Sequence, residues 1–142
     1  MDSKEKAYKI AKEQMYDNDA FSQWLGIEIV TLDAGTSALK MTVRKDMTNG
    51  FDIAHGGITY SLADSALAFA SNAYGRQSVS VETSISHTKA VKTGDVLLAV
   101  ASEESLSHKI GVYRIIVSNQ DEETVAVFKG VVYRSSKEWK ME

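Results

Sequence analysis

A single carboxylate stands in an otherwise apolar helical stretch. From Ile58 to Tyr74 the chain carries Ile58, Leu62, Ala63, Ala66, Leu67, Ala68, Phe69, Ala70 and Ala73, with no Gly or Pro, and Gly75 closes the run. A helix that is apolar on nearly every side is a buried helix. Asp64 is its one charge, and no Lys or Arg follows before Arg76. Burying an unpaired carboxylate is costly, and acids in such places serve as proton acceptors or nucleophiles. Just upstream lie Asn49-Gly50, a turn signal, and His55-Gly56-Gly57. A helix that starts near Gly56 offers unpaired backbone N–H groups and the positive end of its dipole, and glycine leaves that end open to a ligand. One segment therefore supplies an acid for proton transfer or attack, and donors for an oxygen that gains negative charge.

The composition narrows the classes. The chain has 142 residues, enough for one domain with a real core, and a net charge of −3. Lys and Arg are scattered rather than massed, which argues against nucleic acid as a partner. The absence of cysteine excludes disulfides, thiolate zinc sites and cysteine nucleophiles. His87 and His108 show no ligand spacing with each other or with acids; both read as surface residues, and no metal site is expected. No apolar run reaches membrane-spanning length, and Met1 to Glu13 is charged throughout, unlike a signal peptide. The expectation is a soluble cytoplasmic protein.

The elements that must hold Asp64 in place follow from periodicity. An N-terminal arm, 1–24, opens with Asp2 and Glu5 as a capping-box-like start, and Tyr8, Ala11 and Met15 share one helical face. Asn18-Asp19 breaks it; Phe21, Trp24 and Leu25 form a short apolar patch, and Gly26 ends that. The arm reads as a helix packed on the domain edge. Ile27 to Val30 and Leu39 to Val43 read as strands about a turn at Asp33-Ala34-Gly35. After the buried helix, strand character runs over Ser78–Ala90, Asp95–Ser102, Val112–Ser118 and Thr124–Arg134. The tail, 135–142, is polar and reads as loosely ordered. Short connections make an antiparallel sheet. A sheet beside one wholly apolar helix must wrap it, which gives an α+β hotdog fold as a single domain over 1–142.

Here Asn49, His55-Gly56-Gly57 and Leu62-Ala63-Asp64 resemble the acyl-CoA thioesterases of the phenylacetic acid degradation (PaaI) type. Lys92-Thr93-Gly94-Asp95 before a strand, Gly111 at a strand start, and Thr124-Val125-Ala126 with Gly130 fit the same family. The likeness covers the chain after about residue 15. One stretch departs: Ile85–Ala90 lacks the Arg-Pro pair that many members carry there. The resemblance implies a hydrolase that takes a phenylacetyl-CoA-like, aryl or medium-chain acyl-CoA to acid and free CoA. No cofactor is implied, since CoA is part of the substrate.

In that frame Gly56 donates its N–H to the thioester oxygen, Asp64 acts as general base or nucleophile, and His55 and Asn49 flank the site. Gly57 and Ser80 are expected to touch substrate, Ser80 by holding water. Eight helical residues put Gly56 and Asp64 about 12 Å apart, whereas reacting groups must sit about 3–3.5 Å apart. Two such helices packed antiparallel about a twofold axis bring the start of one to the acid of the other. A homodimer with two interface sites is expected, and the resemblance implies pairing of dimers into a homotetramer. Tyr60, Phe69, Tyr74 and the aromatics of the N-terminal arm are candidates for an aryl pocket; Lys89, Lys92, Lys109 and Arg134 are candidates for the CoA phosphates. Two other readings use the same fold: a hydratase or dehydratase of enoyl or hydroxyacyl thioesters that pairs His55 with Asp64, and a non-catalytic acyl-CoA binder.

Overall fold

The computed structural model describes residues 1–142. Its frame is a six-stranded, wholly antiparallel sheet: β1 (Glu28–Asp33), β2 (Thr36–Thr42), β3 (Arg76–His87), β4 (Val96–Leu106), β5 (Ile110–Ser118) and β6 (Thr124–Glu138). The spatial order is β1-β2-β4-β5-β6-β3. Alternation decides which face is buried. Leu97, Ala99 and Ala101 of β4, and Tyr113, Ile115 and Val117 of β5, point inward at period two. The sheet curls around one helix, α3 (Gly56–Asn72), which touches every strand. This is the hotdog arrangement.

Helix α3 buries Leu62, Ala63, Ala66, Leu67, Phe69 and Ala70, the heart of the core. Each large side chain of this kind contributes roughly 1.5–3 kcal/mol by leaving water. Its fit to the sheet depends on Gly130 of β6, where an added Cβ would lie 2.5 Å from Leu67 Cδ2. Any side chain there would force the Leu67 side chain to shift.

Three local features depart from the sequence reading. First, β3 does not form a hairpin with β4. It pairs with β6 at the far edge of the sheet, and residues 88–95 cross back over the start of α3. Ala54 N–H donates to Val91 O (2.7 Å) and Gly94 N–H to Val43 O (2.8 Å), which pin that crossing. Second, the tail is not loose. β6 continues to Glu138, which pairs with Arg76, and Trp139 N–H donates to Gly75 O at 2.8 Å. Its polarity is that of a strand end lying over the domain's surface, and backbone pairing orders it.

Third, the arm starts as a short helix, α1 (Ser3–Ala7), capped by Asp2, whose Oδ1 accepts from Glu5 N–H at 2.8 Å. It then widens into π-type turns over Tyr8–Met15 before α2 (Ala20–Trp24). The buried residues are Ala7, Ile10 and Ala11, with Met15 packed against the core, and Tyr8, expected on that face, is exposed. The arm packs along β1, and Tyr16 Oη donates to Ile27 O at 2.5 Å. One edge of the sheet is thus covered. The other, β3, is open.

Candidate active site

The start of α3 is built by its own sequence. His55 is the N-cap, and its Nδ1 accepts from Gly57 N–H at 3.1 Å. A neutral ring in that role carries its proton on Nε2. Gly57 N–H is thereby spent within the chain. Gly56 N–H, at the first helical position, has no acceptor within the chain. Asn49 accepts from Phe51 N–H through Oδ1 at 2.9 Å, an Asx turn that shapes the 49–54 loop. Its side-chain NH2 is left without an acceptor.

A cavity of about 400 Å³ opens in front of this end, lined by Asn49, Ile53, Gly56, Thr59, His87 and Lys89 among others. His87 and Thr59 are the residues that sequence reasoning missed. His87 is exposed, as expected, but it is not isolated: an added Cβ on Gly56 would lie 3.1 Å from its Nε2. The end of β3 carries it there, and no local spacing encodes that placement. Thr59 is buried and follows Gly56 by three residues, a helical pairing that periodicity does reveal.

Asp64 is elsewhere. It lies eight residues along α3, about 12 Å further and turned by roughly 80°. It lines a second cavity, also about 400 Å³, with Leu67, Ala68, Ser71, Asn72 and Ser80. Ser80, expected to hold water, lines the same cavity as the acid. Asp64 is half-buried, and burial alone raises its pKa above the ordinary aspartate value. No hydrogen-bond donor and no cation offsets that burial. Beside this cavity runs the open strand β3, with Val79 and Val81 of β3 exposed at 64% and 61%.

The other candidates are occupied. Tyr60 Oη bonds Thr83 Oγ1 (2.7 Å), Phe69 packs edge-on to Tyr16, and Tyr74 Oη donates to Glu103 (2.5 Å); none lines the Asp64 cavity. Lys89 reaches the Gly56 cavity but pairs with Glu123 at 3.0 Å, and Arg134 donates to Ser107 O at 2.6 Å. No three His, Asp or Glu side chains come close enough together to hold a metal ion. No helix is long and apolar enough to cross a membrane.

Comparisons with known proteins agree with this architecture. Residues 51–126 match the family model of the thioesterase superfamily. The acyl-coenzyme A thioesterase PaaI of Escherichia coli strain K12 is 40% identical over 120 residues, 84% of this chain and 86% of that protein. A solved structure of the E. coli PaaI protein from the phenylacetic acid degradation operon superposes with a TM-score of 0.93 at 37% identity, over 96% of this chain and 99% of the other. A Streptococcus mutans protein bound to acetyl CoA gives 0.77 at 25% identity, over 80% and 91%. By fold, by sequence match and by the helix that carries both an open N-terminus and an unpaired acid, the chain belongs to the thioesterase superfamily.

Proposed function

We propose that this protein is an acyl-CoA thioesterase that releases free acid and CoA, with aryl or medium-chain acyl groups as its substrate class. The observation that carries the reading is the division of α3: a free N–H at Gly56 and, on a different face, an unpartnered and partly desolvated Asp64. Each is half of a hydrolytic site. A twofold partner supplies the other half.

The pairing surface is the β3 edge. This twelve-residue edge strand exposes Val79 and Val81 and carries no Pro or Lys, and its outer backbone edge pairs with no further strand, with register irregularities at Arg76/Ser78 and Ser80/Glu82. Joining two such edges continues the sheet and sets the two α3 helices side by side, antiparallel. Gly56 of one protomer then faces Asp64 of its partner. The thioester oxygen accepts from Gly56 N–H at the positive end of α3, which stabilises the charge it gains. As general base, ionised Asp64 takes a proton from water as the water oxygen bonds to the carbonyl carbon. The tetrahedral species then collapses with C–S cleavage, and the proton leaves with the CoA sulfur. As nucleophile, Asp64 would instead form an anhydride that water cleaves. A raised pKa suits the base, since a stronger proton acceptor is a better one at neutral pH. His55 holds the helix start in shape, Asn49 shapes the loop beside it, and Ser80 can orient water next to Asp64.

Release of free thiol from a panel of aryl and straight-chain acyl-CoAs tests the reading, with wild type and Asp64→Asn side by side. Thiol release that depends on Asp64 and is strongest with aryl or medium-chain acyl groups is the expected result. Hydration of enoyl-CoA with no thiol released would replace the thioesterase by a hydratase.

A further inference from the structure

The cavity beside Asp64 is a groove with a defined end. Asp64, Leu67, Ala68, Ser71 and Asn72 follow one another along one stripe of α3, a run of about 12 Å. Gln77 to Ser80 of β3 form one wall, and Val132 of β6 adds an apolar surface. At the Asn72 end stands Trp139, from the chain beyond β6, and Met15, from the arm, also lines the groove. Neither lies near Asp64 in sequence, and α3 itself contributes no aromatic ring to this groove.

Trp139 is held on three sides. Its main-chain N–H donates to Gly75 O at 2.8 Å, and its indole Nε1–H donates to Asn72 Oδ1 at 2.9 Å. The next carbonyl, Lys140 O, accepts from Gln14 Nε2 at 2.5 Å, which ties this tail to the arm. Asn72 is 2% exposed and its amide is fully used: Oδ1 also accepts from Ser78 N–H, and Nδ2 donates to Ala68 O and Ser78 O. A buried amide with no spare valence fixes the indole in one place. A ring held so firmly at the end of an apolar groove acts as a wall rather than a flap.

We infer that Trp139 is the end-stop of the acyl-binding groove and sets the longest acyl group that the enzyme accepts, with Met15 as its flank. The inference rests on the proposed function, because it requires the thioester carbonyl at Asp64. From there the groove runs past Leu67, Ala68 and Val132 towards the indole. A flat aryl group or a medium straight chain fills that length. A longer chain meets Trp139.

The test is a profile of kcat/KM over a straight-chain acyl-CoA series from acetyl to palmitoyl, for wild type, Trp139→Phe, Trp139→Ala and Ala68→Leu. Shrinking the stop should move the optimum to longer chains in order of size, Phe then Ala. The ratio of long-chain to short-chain kcat/KM should rise at least about tenfold for Trp139→Ala, since each methylene placed in an apolar pocket is worth about 10–200-fold. Ala68→Leu, which fills the groove nearer Asp64, should move the optimum to shorter chains. A misfolded variant cannot gain activity on a long substrate, and if Trp139→Ala fails to fold, Trp139→Phe and Ala68→Leu still decide. Variants that scale every substrate by one common factor would overturn the end-stop. A wild type silent on the whole panel would instead refute the thioesterase reading.

Discussion

The two cavities along α3 are of equal size and opposite character. The one at the helix start is shaped by backbone: a free Gly56 N–H, a capping imidazole and an Asx turn, with His87 over the glycine. The one further along is shaped by side chains: an acid, an apolar stripe and a locked indole. The first offers the free helix-start N–H and His87 but no carboxylate. The second holds the carboxylate, the groove and the Ser80 hydroxyl but not the helix-start N–H. Their separation on one rigid rod cannot be closed by bending, so the difference points to assembly as the step that completes the site.

The comparison breaks most visibly at the acid. Asp64→Asn should keep the fold and lose about 10²–10⁴-fold in turnover, the range for removing a general base; steady-state thiol release measures it, and near-normal turnover would remove Asp64 from the chemistry. At the other cavity, Gly56→Pro deletes the donor where proline suits a first helical turn, and His55 already has φ −59° and ψ 137°, an extended geometry that a following proline accepts. It should cost about 10²–10³-fold in kcat with a smaller change in KM. Asn49→Asp retains the turn's acceptor oxygen but loses the NH2 group. A loss of about tenfold with unchanged melting temperature would give that NH2 a part in catalysis, whereas full activity would confine Asn49 to the turn.

The mildest effects concern protonation. Asp64 must be ionised to act, so kcat/KM should rise with pH along a limb that lies above the ordinary aspartate pKa of 3.8, because burial raises it. Stability should run the other way. The folded protein holds this proton more tightly than the unfolded chain, so ionised Asp64 lowers stability as pH rises from about 3.8 through the folded pKa, and the loss persists at neutral pH. Asp64→Asn should therefore melt slightly higher than wild type at pH 7, by a few degrees at most, and show no advantage in acid. Calorimetry at two pH values checks both signs.

Much of this was legible in the sequence because it is local. The apolar run with one acid, the glycines at its start and the alternation of β4 and β5 are read within a few residues of one another. What escaped depends on long-range placement. His87 reaches Gly56 only because β3 crosses to the far edge of the sheet. Trp139 reaches the groove only because β6 runs on to Glu138, which a polar composition concealed. In the arm, Ala11 and Met15 face the core as their spacing implies, while Tyr8 stays exposed.

The most direct measurement mixes two dead proteins. Asp64→Asn and Gly56→Pro subunits, unfolded together and reassembled in equal amounts, form mixed dimers in which one of the two sites has its wild-type Gly56 and Asp64. Activity should return to about a quarter of wild type, half of the dimers having one working site each. If each protomer contains a whole site, no mixture of the two variants will release thiol above their separate rates, and the division of the site between subunits is wrong.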